Sequence, residues 1–126
     1  MKVKMTLIAT QRRLQVEMGD DTFFRIFFTN EKKFPSIYIT RDNEKETLKQ
    51  LVDKYFHCGT EWLCPELLDF RVAKNNECEV IYASYMPHIY DINKSGHFIS
   101  DEQLEDNNIE IDPYYEELLS RKSRGF

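Results

Sequence analysis

Residues 43–57 read Asn-Glu-Lys-Glu-Thr-Leu-Lys-Gln-Leu-Val-Asp-Lys-Tyr-Phe-His, and this stretch predicts the helix on which the fold depends. Its apolar side chains recur at helical spacing, so they share one face that we expect to pack in the core. These are Leu48, Leu51, Val52 and Tyr55. At about 100° per residue, the opposite side is a polar row made of Glu46, Gln50, Asp53 and His57. The helix is therefore predicted to be amphipathic, with one buried and one solvated face.

Both ends of this helix carry signals in the sequence. Asn43 followed by Glu46 forms a capping-box pattern, which satisfies free backbone N–H groups at the start of a helix. Gly59 stands where a left-handed C-terminal cap is expected. An apolar strand follows as far as residue 70, so the sequence predicts a helix, a tight glycine turn and a strand in succession.

The composition indicates one domain spanning residues 1–126, which is long enough to bury a core of its own. Cys58, Cys64 and Cys78 form an odd set without a C-x-x-C pair, so we expect a reducing, cytoplasmic setting. No leader peptide or long apolar run is recognised, and no membrane contact is expected. The net charge of -5, from 22 acidic and 17 basic residues, disfavours a broad nucleic-acid-binding surface.

Four extended segments are predicted before the helix. Alternating polar and apolar residues at 2–9 and 14–18 indicate half-buried strands. Residues 22–28 are apolar at nearly every position, which predicts a central strand covered on both faces. Residues 34–39 contain Pro35, which cannot donate a ladder hydrogen bond, so this segment is expected at a sheet edge or at a strand start.

A β-hairpin is predicted after the glycine turn. It joins strands at 66–73 and 78–86 through a polar turn at 74–77. Residues 88–97 are expected to form a loop, because Pro87 ends the second strand and Asp, Asn and Gly residues follow.

Two further helix starts are indicated towards the C-terminus. Ser100 with Gln103 forms a second capping-box pattern, which opens a short helical turn. Asp112 is the N-cap and Pro113 the first residue of a last helix that continues through Leu119. The predicted fold class is therefore α+β, with a mixed β-sheet packed by helices.

This order of elements resembles the Nudix domain, in which one helix holds Mg²⁺ against a substrate diphosphate. The family signature is G-x5-E-x7-R-E-U-x-E-E-x-G-U, where U is a bulky apolar residue. Placing its last glycine at Gly59 puts the first glutamate at Glu44, which matches, and the opening glycine at Tyr38, which does not. The resemblance covers most of the chain and implies a single Nudix-like α/β/α sandwich.

The positions that carry the family's chemistry differ in this sequence. The Arg-Glu pair falls on Val52 and Asp53, and the two metal-binding glutamates fall on Phe56 and His57. Mg²⁺ requires hard oxygen ligands, and neither a phenyl ring nor an imidazole supplies one. We therefore expect a degenerate domain with no catalytic residues and no cofactor, which acts by binding another protein.

Aromatic and basic side chains are the candidate contacts of such a module, because aromatic residues and arginine are enriched in protein interfaces. The candidates are Tyr85, Tyr90, Tyr114, Tyr115, Arg121 and Arg124. The alternative interpretation places most of these aromatics in the core or at sheet edges. A protein partner is expected, and a homodimer is a second option because Nudix-like domains often pair. The short chain, rich in Asn, Lys and aromatics, suggests a small phage or bacterial accessory protein.

Two other functions stay open from the sequence. In the first, Glu44, Glu46 and Asp53 hold Mg²⁺ in an atypical site, and the protein is a pyrophosphohydrolase that binds a nucleoside diphosphate linked to another moiety. In the second, the acidic stretches 101–106 and 110–112 mimic nucleic acid and bind a basic protein.

Overall fold

The computed structural model describes residues 2–11, 25–39, 43–56, 65–72, 76–85 and 95–124. Within them the chain forms six strands, two α-helices and a short 3-10 helix. The strands are β1 (Lys2–Thr10), β2 (Arg25–Thr29), β3 (Ser36–Tyr38), β4 (Glu66–Val72), β5 (Glu77–Tyr85) and β6 (Gly96–Ser100). The helices are α1 (Glu44–Tyr55) and α2 (Pro113–Arg124), and the 3-10 helix spans Asp101–Gln103.

One mixed sheet contains all six strands in the order β4-β5-β1-β2-β6, with β3 also paired to β1. β1 runs parallel to β5 along its whole length, from Lys2 opposite Glu77 to Thr10 opposite Tyr85. Two strands pair with the other edge of β1: β3 pairs with residues 4–6, and β2 pairs with Thr10. The β2–β6 and β4–β5 pairs are antiparallel. The predicted mixed sheet is confirmed, and β1 is the strand around which it is assembled.

β1 is buried more deeply than the half-buried strand that its alternating pattern predicts. Met5, Leu7 and Ala9 belong to an apolar cluster with α1, whereas Ile8 belongs to a cluster with α2. Thr6, between them, is also buried, with only 2% of its surface exposed. The prediction of a solvated face on this strand was wrong, because helices cover both faces of the sheet at this strand.

Two other strand predictions are confirmed where the structure describes them. Of the segment 22–28, the part in β2 is buried on both faces from Ile26 onwards. Within 34–39, the short strand β3 follows Pro35 and pairs with β1. The strand predicted at 14–18 lies outside the described residues.

Helix α1 begins as predicted. The Glu46 N–H donates a hydrogen bond to Asn43 Oδ1 at 3.2 Å, which caps the first turn. The predicted apolar face packs on the sheet, where Leu51, Val52 and Tyr55 are buried. This face fixes α1 over β1 and β3.

The end of α1 differs from the prediction. The helix stops at Tyr55, and Phe56 is its C-cap in an extended conformation, with φ -128° and ψ 146°. The Phe56 N–H still donates to the Val52 carbonyl at 2.9 Å, so the last turn is closed. The expectation that Gly59 caps this helix was wrong, because the chain leaves the helical path where Phe56 enters the core. His57 and Gly59 lie outside the described residues.

Helix α2 starts as the sequence indicates and covers the opposite face. Asp112 Oδ1 accepts a hydrogen bond from the Tyr114 N–H at 2.9 Å, and Pro113 is the first helical residue. Leu118 and Leu119 are buried in the cluster that also contains Ile8, Ile26, Phe28, Ile81 and Ile109. With α1 on one face and α2 on the other, the predicted α+β fold with an α/β/α arrangement is confirmed.

The hairpin of β4 and β5 is confirmed and carries a feature that the sequence did not reveal. The register shifts between Leu67 and Asp69, which marks a β-bulge in the edge strand β4. Asn76 in the turn has a positive φ of 59°, a conformation that asparagine tolerates better than most residues.

The region between β5 and α2 was predicted less well. The sequence predicts a loop at Gly96 and His97, but these residues begin β6, which pairs with β2 over five residues. The 3-10 helix forms where a helical turn was expected. However, the Ser100 side chain makes no capping hydrogen bond, so the predicted capping box was wrong. None of the helices in the described part of the chain has the length and apolarity needed to cross a membrane.

Candidate functional site

The acidic side chains of α1 do not converge on one point. Glu44, Glu46 and Asp53 are all exposed, and the step from Glu44 to Asp53 corresponds to roughly 13 Å of helical rise. Among the residues that the structure describes, no three His, Cys, Asp or Glu side chains are grouped closely enough to hold a metal ion. The three candidate magnesium ligands are therefore not brought together.

Glu44 instead connects α1 to the sheet. Its Oε1 accepts a hydrogen bond from the Tyr82 hydroxyl of β5. Burial, followed by this contact with the Glu44 carboxylate, raises the pKa of Tyr82 to about 12. Glu44, which matches the first glutamate of the Nudix signature, thus connects the first turn of α1 to β5.

Phe56 is part of the apolar core. Only 2% of its surface is exposed, and its ring centroid lies 4.8 Å from that of Phe27 and 6.4 Å from that of Phe98. Val52, at the position aligned with the signature arginine, is fully buried in the same cluster. Two positions that the resemblance assigns to metal and diphosphate chemistry are therefore packing positions in this fold.

A buried carboxylate lies on the other face of the sheet, under α2. Glu79 in β5 accepts hydrogen bonds from Thr6 Oγ1 at 2.5 Å, from the Tyr115 hydroxyl at 2.6 Å and from Arg71 Nε at 2.8 Å. Its side chain is 4% exposed, whereas that of Arg71 is 32% exposed. Burial raises the pKa of Glu79, but the hydrogen bonds from Thr6, Tyr115 and Arg71, together with the Arg71 charge, outweigh it and lower the pKa overall.

Tyr114 and Tyr115 complete this network from the start of α2. The Arg71 guanidinium lies over the Tyr114 ring, 4.0 Å from its centroid, and the Tyr114 hydroxyl donates to Asp69 Oδ2 at 2.9 Å. Burial and the Asp69 carboxylate raise the pKa of Tyr114 to about 12. Burial and the Glu79 carboxylate raise the pKa of Tyr115 as well. The network joins β4, β5, β1 and α2 through hydrogen bonds that sequence reasoning did not find.

The candidate interface residues lie in different parts of the fold. Tyr114 and Tyr115 lie side by side, with centroids 5.3 Å apart, and both hydroxyls are used inside the molecule. Tyr85 ends β5, and Arg121 and Arg124 lie in the last turns of α2. Tyr90 lies outside the described residues. That any of them contacts a partner stays a prediction.

An apolar row on β4 is the most exposed large hydrophobic surface among the described residues. Leu67 is 58% exposed, Phe70 53% and Val72 70%. In the β4–β5 register they lie opposite Tyr82, Val80 and Cys78, respectively. We call Leu67, Phe70 and Val72 the β4 row. The sequence signal was present, because these apolar residues lie in a predicted strand, but the pattern did not show that the strand lies at a sheet edge.

The β4 row faces the same side of the sheet as α1. Val80, its neighbour on β5, belongs to the cluster that contains the α1 residues. Among the described strands, β4 pairs with β5 alone, so its outer backbone edge has no strand beside it. The other face of β4 carries Arg71, which the buried network holds in place. The row therefore lies on an edge strand that is anchored from its opposite face.

No family model matches this chain, and no curated protein matches it either. Among solved structures, the chain is similar to the C-terminal domain of mouse MUTYH, which was crystallised in complex with human PCNA. The TM-score is 0.68 at 10% sequence identity, and the alignment covers 99% of this chain and 90% of that one.

The chain is also similar to the NUDIX domain of Shewanella oneidensis NrtR, which was crystallised with ADP ribose. Here the TM-score is 0.60 at 8% identity, with 98% of this chain and 86% of that one covered. At these identities the similarity shows the fold alone, and the fold is Nudix-like.

Proposed function

We propose that this domain is a non-catalytic Nudix-like module that binds an extended segment of another protein along strand β4. The observation that carries the proposal is the β4 row, three exposed apolar side chains on an edge strand. Exposed apolar surface of this kind marks interaction sites, and an open strand edge offers backbone groups to a further strand.

The lack of catalysis is supported by the core position of Phe56. A metal-binding carboxylate at this point would have to lie between the rings of Phe27 and Phe98, away from solvent. An ionised carboxylate without a partner is strongly disfavoured in such a place. The exposed carboxylates of α1 are spread along the helix instead. A helix of this kind serves as a packing element more readily than as a metal clamp.

The geometry of β4 favours a partner that adds as a strand. In strand addition the backbone hydrogen bonds provide affinity, and alternate side chains of the added segment contact the row on one face. The net charge of -5 favours encounter with a segment that carries positive charge. The mouse MUTYH domain, which shares this fold, was crystallised with a protein. This is consistent with a protein-binding use of the fold.

The decisive experiment compares the wild-type protein with a double variant, Phe70→Lys with Val72→Lys. Both side chains are largely exposed, so the variant is expected to keep its fold, which far-ultraviolet circular dichroism checks. The protein that co-purifies with the wild type should be lost from the variant. Gln50→Lys, on the exposed face of α1, adds a positive charge elsewhere and should retain it.

Hydrogen exchange then locates the contact. Binding of the co-purified protein should protect the backbone amides of β4 more than those of β6, the other outer strand. Equal capture by the double variant, or protection confined to β6, would refute the proposal. Sedimentation of the purified protein tests whether a second copy of this chain occupies the β4 row instead. A wild-type dimer that the double variant converts to monomer would assign the row to a second copy of this chain and overturn the partner named here.

A further inference from the structure

A cavity of about 200 Å³ lies on the α2 side of the sheet, away from the β4 row. It is bounded by β1, by the turn between β2 and β3, and by the segment that leads into α2. The lining residues divide into three groups. They are three lysines, Lys4, Lys32 and Lys33, three aromatic residues, Phe28, Phe34 and Tyr115, and two acidic residues, Glu110 and Asp112. Thr6, Ser36 and Ile111 complete the wall.

The three lysines leave the cavity with an excess of positive charge. None of the three makes an ion pair with a carboxylate of the described residues, although Glu110 and Asp112 line the same cavity. One carboxylate oxygen of Asp112, Oδ1, already accepts a hydrogen bond from the Tyr114 N–H. Counted by residue, three lysines against two acidic residues give the lining a formal net charge of +1.

The lysines of the β2–β3 turn are held in a defined position. The Lys32 N–H donates to the Thr29 carbonyl at 2.8 Å, and the Thr29 N–H donates to the Lys33 carbonyl at 2.8 Å. Lys32 has a positive φ of 63°, which turns the chain sharply at this point. A turn closed by these bonds holds the backbone of both lysines beside the cavity before any ligand arrives, which reduces the entropic cost of binding.

Aromatic residues form the apolar part of the cavity wall. Phe28 and Phe34 are stacked, with centroids 5.2 Å apart and planes at 25°. Tyr115 meets Phe34 edge to face at 5.1 Å. Phe28, Phe34 and Tyr115 line the same cavity as the three lysines, and Thr6 and Ser36 also belong to its wall. The cavity therefore combines an anionic-group contact with a surface for a planar apolar group.

We infer that this cavity binds a small organic monoanion, a carboxylate attached to a flat apolar group. The carboxylate would lie at the lysines and the flat group on Phe34, which is less buried than the Phe28 ring stacked beneath it. A net charge of +1 matches one negative charge, and the two carboxylates on the wall repel ligands that carry several. The volume of about 200 Å³ is below the range of about 300–1,000 Å³ that is usual for larger ligands, which favours a small one. This site is independent of the proposed docking of a protein on β4.

The test titrates isotope-labelled full-length protein with three probes and follows backbone amide resonances by NMR. The probes are 3-phenylpropionate, its neutral amide, and phenyl phosphate. We expect saturable shifts around Thr6, Phe34 and Ser36 with 3-phenylpropionate, at a dissociation constant of about 1 mM, which corresponds to roughly -4 kcal/mol. The neutral amide should bind at least about tenfold more weakly, a loss of about 1.4 kcal/mol.

Two single variants and one control connect the binding to the cavity. Lys33→Gln and Lys4→Gln should each weaken 3-phenylpropionate severalfold, and Lys49→Gln on the exposed face of α1 should leave it unchanged. Using two lysines from different elements keeps the test valid if one variant folds poorly. Equal binding of acid and amide, or no saturable shift, would overturn the proposal. Tighter binding of phenyl phosphate would replace the monoanion with a phosphate ester and overturn the assignment of ligand class.

Discussion

Arg71 and Glu79 face each other across the β4–β5 ladder, with Arg71 Nε 2.8 Å from Glu79 Oε1. Tyr115 from α2 closes the arrangement, since its hydroxyl donates to the other carboxylate oxygen of Glu79. The edge strand is therefore joined to β5 and to α2 by a charged hydrogen-bonded group that is largely removed from solvent. This joint holds β4 from one face and leaves the β4 row on the other face available.

Removing the charge of Glu79 should destabilise the domain. Glu79→Gln keeps the shape of the side chain but leaves Arg71 without its counter-ion, and replaces a charged acceptor for Thr6 and Tyr115 with a neutral one. We expect a loss of about 2–3 kcal/mol in the free energy of unfolding, measured by urea denaturation. Glu105→Gln, an exposed change of the same chemistry, should cost less than about 0.5 kcal/mol. Equal midpoints for the two variants would contradict this.

Acid should destabilise the wild type through the same carboxylate. The pKa of Glu79 is lower in the folded protein than its ordinary value of 4.5, so the unfolded chain binds the proton more readily. The stabilisation from this group is complete above pH 4.5 and is lost as the pH falls through the folded-state pKa. Urea midpoints between pH 7 and pH 3 should fall more steeply for the wild type than for Glu79→Gln. Parallel curves would show that Glu79 is not linked to the acid transition.

Alkaline titration should separate the tyrosines into two groups. Burial and nearby carboxylates raise the pKa of Tyr82 and of Tyr114 to about 12, and raise that of Tyr115 as well. Folding thus favours their neutral forms, and this stabilisation is present below pH 10 and is lost as the pH rises through the folded-state values. Of the seven tyrosines, at least these three should ionise late in an ultraviolet difference titration. Ionisation of all seven near pH 10 in folded protein would contradict the contacts.

Replacing Phe56 with glutamate should not create a metal site. The new carboxylate would enter the space between Phe27 and Phe98, so we expect Phe56→Glu to cost more than about 3 kcal/mol. Phe56→Leu, which keeps an apolar group there, should cost less. Thermal unfolding of each variant with and without Mg²⁺ is the measurement. A rise in melting temperature with Mg²⁺, together with phosphate release from a panel of nucleotides, would favour the hydrolase alternative.

Gly96 should tolerate no side chain. An added Cβ would lie 2.5 Å from the Phe28 carbonyl oxygen and 2.9 Å from Cε1 of the Phe27 ring. Because the first of these is backbone in the β2–β6 ladder, β6 would have to move. We expect Gly96→Ala to lower the free energy of unfolding by about 1–3 kcal/mol, the usual cost of overpacking. A melting temperature within error of the wild type would show that β6 shifts freely.

Local features were predictable because their signals are short-range. The Asn43 cap, the Asp112-Pro113 helix start and the β4–β5 hairpin each depend on residues close together in sequence, and each was confirmed. The order of these elements was enough to predict the Nudix-like fold. The Arg71–Glu79 pair did not follow from the predicted hairpin, because a four-residue turn at 74–77 would place Arg71 opposite Val80, whereas the structure places it opposite Glu79.

Features that depend on distant contacts were missed. Glu79 lies between two apolar residues of a strand, a pattern that usually indicates a solvated side chain, but Thr6, Arg71 and Tyr115 of other elements enclose it. Likewise, Gly96 and His97 follow a polar segment and become a strand because β2 provides a partner. Helix α1 stops before the glycine that should end it, since Phe56 packs against rings from β2 and β6. In each case packing against a remote element overrode the local preference.

The parallel pairing of β1 with β5 also governs when the domain can fold. During synthesis, β1 is made long before its partner, yet Lys2 meets Glu77 and Thr10 meets Tyr85 in the finished sheet. A growing chain that stops short of residue 77 would leave the deeply buried strand β1 with an open edge. Closing so long a loop slows folding, so the hairpin from β4 to β5 is expected to form first and to act as the template onto which the N-terminal strand is later added.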